Sequence, residues 1–179
     1  ELYDNPQFPG GNVYWGRDYF FVRDEFVGAK TCNFQEHVGG IILAFGGIDH
    51  NDLTGRLLGC IQRVCEARNV HVYIVTGPGY RNYEPLSMRI AQMSNVTLTH
   101  ATGVISSIME KVSLAITSNG RTVYEMAHMN IPAIVVPQHE REKTHEFSRA
   151  ENGFVLLEPF TAGLTEEKVE ETLVSMLDN

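Results

Sequence analysis

The chain is 179 residues long, 43% hydrophobic and 20% charged, with 14 Lys and Arg against 22 Asp and Glu for a formal net charge of −8. That length suits one well-buried domain of roughly 100–200 residues, in the composition range of soluble globular proteins. The basic residues nowhere cluster, which excludes a nucleic-acid surface, and no apolar run approaches the roughly 18 residues of a membrane span.

Cys32, Cys60 and Cys65 are odd in number and lack paired spacing. They speak against a disulfide framework or zinc knuckle and for a reducing, cytoplasmic setting. No signal peptide is visible. The chain starts at Glu1 rather than Met, so it is expected to be a piece of a longer protein.

Residues 1–37 show no periodicity and carry Pro6, Pro9, Gly10, Gly11, Gly16 and Gly28. Their aromatic stretch Tyr14–Arg23 is expected to be a lead-in packed on the domain, with Trp15 and Tyr19 anchoring a domain junction. The domain itself is expected over 38–179. Ile41–Phe45, wholly apolar and ended by Gly46-Gly47, predicts a buried strand. Leu53, Leu57, Leu58, Ile61, Val64 and Cys65 then recur at helical spacing behind the cap candidates Asn51 and Asp52. Val70–Val75 predicts a second strand, stopped by Thr76-Gly77-Pro78-Gly79. A helix over Leu86–Met93, a strand at Val96–Thr99 and a short helix at Val104–Met109 follow. Leu114–Thr117 and Ala133–Val136 read as strands flanking a Ser-Asn-Gly turn and a short helix. A helix near Glu142–Ala150, a strand at Phe154–Leu157 and an amphipathic helix from about Thr165 complete the order. Strands alternating with helices predict an α/β fold: a Rossmann-like, doubly wound, mostly parallel six-stranded sheet with right-handed crossovers.

In such a sheet the ligand crevice lies at the carboxyl ends of the strands, where strand order reverses. For the order 3-2-1-4-5-6, the first and fourth strands meet at that point. The loops leaving them are Gly46–Asn51 and Ser118–Thr122, both containing glycine and both entering helices. Free backbone N–H groups and the helix dipole at such a start favour phosphate. Glu125, one turn into the second helix, suits a sugar hydroxyl. Either loop alone equally suits a tight turn that needs positive φ. Their coincidence at the reversal point carries the phosphate reading. Gly77 and Gly79 end the second strand and are candidates either for a plain turn or for the border of a base pocket.

Other constellations carry less. His139 and His145 are separated by six residues, so they cannot share a helix face as HExxH zinc ligands do. No metal and no other cofactor is expected. His50 suits either a phosphate donor or an exposed loop residue, and Asp49 suits a helix cap better than a ligand contact. Ser106, Ser107 and Ser118 lack the Gly-x-Ser-x-Gly context of a hydrolase nucleophile.

Three stretches together bear a family likeness: GRDYFFVRDEF at Gly16–Phe26, GGIDHN at Gly46–Asn51 and SNGRTVYE at Ser118–Glu125. With Ile131-Pro132 before a strand and Asn152-Gly153 near the end, the chain resembles the carboxy-terminal nucleotide-binding domain of glycosyltransferase B-fold proteins. The likeness is strongest to the UDP-sugar hydrolases of pseudaminic acid synthesis and their spore-coat polysaccharide relatives, and it covers nearly the whole chain. The resemblance implies that Gly47, Ile48, Asp49 and Asn51, with Ser118, Gly120, Arg121 and Thr122, face a diphosphate. It implies that Glu125 takes ribose hydroxyls. It also implies a sugar side of the cleft at Gln138, Arg141 and Glu142. The family usually carries Asn-Gln where this chain has Arg141-Glu142, and a carboxylate beside a diphosphate repels it unless paired.

What the resemblance implies for the whole protein is a nucleotide-sugar hydrolase or glycosyltransferase in surface polysaccharide synthesis of the nonulosonic acid type. Its ligand would be a UDP- or CMP-linked sugar, and its catalytic residues would lie in an amino-terminal domain that is missing here. The alternative is a non-catalytic nucleotide-binding or regulatory module, for example one fused to a cytidylyltransferase.

Overall fold

The apolar run at the start of the domain forms the centre of the sheet. In the computed structural model, which describes residues 19–33 and 35–178, β1 spans Gly40–Ala44 and is buried along its whole length. The other strands are β2 (His71–Thr76), β3 (Val96–His100), β4 (Leu114–Thr117), β5 (Ala133–Val135) and β6 (Phe154–Leu156). Their order is β3-β2-β1-β4-β5-β6, and all five pairings are parallel. The doubly wound, Rossmann-like sheet expected from the alternation is the one observed, including the reversal between β1 and β4.

Side chains alternate across a strand, so β1 serves two cores. Ile41 and Leu43 face α1 (Leu53–Glu66), α2 (Tyr83–Ile90) and α5 (Leu164–Asp178), among them Leu57, Ile61, Leu86, Val169 and Leu173. Ile42 and Ala44 face α3 (Ser106–Met109) and α4 (Thr122–His128), packing with Met109, Val123 and Met126. Burial on both faces is why the inner strands read as continuous apolar runs instead of alternating ones.

Residues 19–33 lie against the α3 and α4 side. Phe26 is fully buried there, Phe20 stacks on Tyr124 at 4.1 Å, and the Cys32 amide donates to the Met129 carbonyl at 2.8 Å. Trp15 and the residues Gly16 to Asp18 of the family-like lead-in lie outside the described residues. The three cysteines are free thiols, and burial pushes that of Cys65 up to about 12. Among the described residues no helix is long and apolar enough to cross a membrane.

One predicted helix is absent. Residues 142–150 form two short 3-10 turns, Glu140–Thr144 and Ala150–Asn152, with irregular chain between them. The carbonyls of Glu142 and His145 accept hydrogen bonds from the Asn119 amide at 2.7 and 3.2 Å. A helix would have used both carbonyls for its own ladder.

Candidate functional site

At the reversal point the carboxyl ends of β1 and β4 are tied together, the Thr117 hydroxyl donating to the Ala44 carbonyl at 2.7 Å. Above them opens a cleft of about 200 Å³, lined in part by Arg23, Gly47, Gly77, Thr102, Thr122 and Glu125. Both glycine loops therefore reach one place, together with the loops that leave β2 and β3.

Glycine is required where these loops touch. Gly46 turns with φ +77°, a left-handed conformation that side chains disfavour. A Cβ on Gly77 would lie 2.4 Å from the Gly47 Cα, and the Gly79 amide donates to the Gly47 carbonyl at 2.9 Å. The β1 and β2 loops thus pack backbone on backbone. Gly77 borders the cleft, whereas Gly79 packs on Gly47 and Ile48 away from its lining. Gly120 differs from both: its φ is not positive, and the nearest atom to an added Cβ is the Ser118 hydroxyl at 3.9 Å. The Ser118–Thr122 turn holds its shape without a strained glycine.

Asp49 and Asp52 divide the start of α1 between them. The Asp49 carboxylate, nearly buried, accepts from the Leu53 and Thr54 amides at 2.9 and 2.8 Å, and Asp52 accepts from Gly55 at 3.2 Å. Burial raises the Asp49 pKa above its usual range, outweighing the helix amides that lower it. Tyr80 donates to Asp52 at 2.5 Å, and burial and that carboxylate raise the phenol's pKa. Ile48 and His50, with Asp52, Tyr80 and Arg81, border a second hollow of about 160 Å³.

The loops leaving β1, β4 and β5 are cross-linked on the far side. Asn51 donates to the Gln138 carbonyl at 2.6 Å, and the Gln138 amide group donates to the Phe45 carbonyl at 3.1 Å. Glu142, which the resemblance set beside the sugar, accepts from the Gln138 and Asn119 backbone amides at 2.8 and 3.3 Å. The carboxylate is thus paired with backbone donors. Asn119 is fully buried and also accepts from Ser148 at 2.6 Å, while its carbonyl meets the His145 ring. Arg141 is exposed, and Arg121 sets its guanidinium over the Phe20 ring at 5.5 Å.

Glu125 is buried at the cleft wall, and one of its oxygens accepts from Arg23 Nε at 2.9 Å. Arg23 also contacts Glu25 at 2.7 Å, and Glu25 in turn accepts from the Ile105 and Ser106 amides at 2.6 and 2.9 Å. Arg23 belongs to the family-like lead-in, but neither its place at the cleft nor that of the Thr102–Ile105 loop is legible in the sequence. Arg23 lies 102 residues from Glu125, and the loop follows a strand without any glycine cluster. Among the described residues no three His, Cys, Asp or Glu side chains gather as a metal site would need.

The sequence pattern of the glycosyltransferase family 28 C-terminal domain matches residues 41–179. The chain is 24% identical over 163 residues to the spore coat polysaccharide biosynthesis protein SpsG of Bacillus subtilis (strain 168), covering 90% of this chain and 47% of that one. Its fold is similar to that of MurG from Acinetobacter baumannii, with TM-score 0.57 and 18% identity over 87% of this chain and 44% of that one. It is also similar to the pneumococcal O-GlcNAc transferase GtfA, solved with UDP and GlcNAc, with TM-score 0.55 and 16% identity over 78% and 28% of the two chains. This chain spans less than half of each.

Proposed function

Because the chain belongs to the family of glycosyltransferase family 28 C-terminal domains, we propose that its cleft at the β1–β4 reversal holds the nucleoside diphosphate of an activated sugar. The observation that carries this reading is the convergence of Gly47, Gly77, Thr122 and Glu125 on one opening at the carboxyl ends of the strands. Backbone amides of the loops Gly46–Asn51 and Ser118–Thr122 take the diphosphate, with no side chain capping α4 ahead of them. Glu125 accepts the ribose hydroxyls, and Gly77 and Thr102 border the base. Gln138 and the Arg141–Glu142 turn lie toward the sugar.

The reaction of the whole protein is hydrolysis of, or transfer from, a UDP- or CMP-linked sugar in surface polysaccharide synthesis, of the nonulosonic acid type. A spore coat polysaccharide relative and a fold neighbour solved with UDP and GlcNAc support that class. A second domain faces the cleft and supplies the base that activates water or an acceptor hydroxyl. The contribution of this chain is fixed donors aimed at the leaving diphosphate, where negative charge develops in the transition state.

Calorimetric titration of the 179-residue chain with UDP tests the binding step. One wall of a cleft predicts a Kd from micromolar to millimolar, about −8 to −4 kcal/mol. Absence of heat and of any melting shift with UDP, CDP, CMP and TDP removes the reading.

A further inference from the structure

We infer that Arg23 is a positioning residue for the nucleoside end of the cleft, an inference that rests on the function proposed above. Its guanidinium joins two walls that no other side chain joins in the described residues lining the cleft. On one side it holds Glu125 through one carboxylate oxygen, at 2.9 Å. On the other it meets Glu25 at 2.7 Å, and Glu25 binds the Ile105 and Ser106 amides at the start of α3. The chain of contacts therefore runs from α4, through the lead-in, to the loop that leaves β3. Arg23 is also the one cation among the described residues lining the cleft.

The chemistry follows from the geometry of a planar fork. Guanidinium presents several donors in fixed directions, so it can hydrogen-bond one carboxylate, Glu125, while forming an ion pair with a second, Glu25, which an ammonium on a flexible stem does poorly. Glu125 is almost enclosed, with 6% of its surface exposed, so its orientation is set by what it bonds. With one oxygen held by Arg23, the other makes no hydrogen bond to another described residue and is the one that would meet hydroxyls. Arg23 needs no contact with ligand to act in this way. Its effect is carried by Glu125, and it should vanish wherever Glu125 has nothing to bind.

Arg23→Gln, Arg23→Lys, Glu125→Gln and the double variant Arg23→Gln/Glu125→Gln, titrated with UDP and with its 2′,3′-dideoxy analogue, separate this from a structural role. The contact is half exposed, so solvent screening limits it, and Arg23→Gln should weaken UDP about five- to tenfold. The dideoxy analogue should lose less than about twofold by the same variant, because the hydroxyls are the groups Glu125 serves. Arg23→Lys should fall between, and adding Arg23→Gln to Glu125→Gln should cost nothing further. Equal weakening of both ligands overturns the inference, as does additivity in the double variant. Tighter UDP binding by Arg23→Gln also overturns it, since Arg23 would then be a latch that ligand must displace. In each of those cases UDP still binds the parent chain and the proposed function stands. A parent chain that binds no nucleotide removes both.

Discussion

Two glycines that look alike in the sequence do different work at the residue scale. Gly77 has no room for a side chain, because an added Cβ would meet the Gly47 backbone at 2.4 Å and backbone cannot rotate away. Gly120 has ordinary space and an ordinary φ. Gly77→Ala should therefore cost about 1–3 kcal/mol of stability, the range of an overpacked interior site. Gly120→Ala should leave stability within about 0.5 kcal/mol, as for a surface substitution, while weakening UDP by crowding the phosphate's approach to the backbone. Urea unfolding and UDP titration of both variants check this pair. A Gly120→Ala protein that is unstable yet binds UDP normally would reverse the assignment.

Start signals at the element scale decide both the helices and their pH response. The α1 start is held by a buried carboxylate, Asp49, whose pKa burial raises from the ordinary 3.8. A raised folded-state pKa means the fold favours the protonated acid. That contribution is complete below pH 3.8 and is lost as pH climbs through the folded value. Asp49→Asn keeps an acceptor for one helix amide and removes the titration. The stability of the parent relative to Asp49→Asn should thus decline as pH rises through the acidic range above 3.8, and a difference flat with pH would contradict it. The strands followed from apolar runs, which are local patterns, and the meeting of the two glycine loops followed from the switch-point rule once the common order 3-2-1-4-5-6 was supposed. The 142–150 segment did not follow, since its fate is decided by Asn119, which takes the carbonyls of Glu142 and His145 from another part of the chain. The pairing of Arg23 did not follow for the same reason, its partner lying 102 residues away.

Charge matters most at the scale of the whole molecule. A chain of net charge −8 repels an anionic ligand at long range, and only local backbone donors offset this, Arg23 being paired with Glu25 and Glu125. Raising salt from roughly 50 to 200 mM screens that repulsion, so UDP affinity should hold or tighten. A steep fall in affinity measured by titration across that range would point to a cationic footprint that the residues lining the cleft do not display.

The tie between Thr117 and Ala44 also bears on how the protein comes into being. The two residues are separated by 73 positions, and they close the middle of the sheet. A ribosome adding about 5–20 residues per second takes roughly 4–15 s to cover that distance. Once β2 has been made within this interval it can pair with one side of β1, while the other edge of β1 has no strand to pair with until β4. The nascent chain is most exposed to misassociation until β4 emerges, and a stall before Thr117 would leave the fully buried central strand half paired.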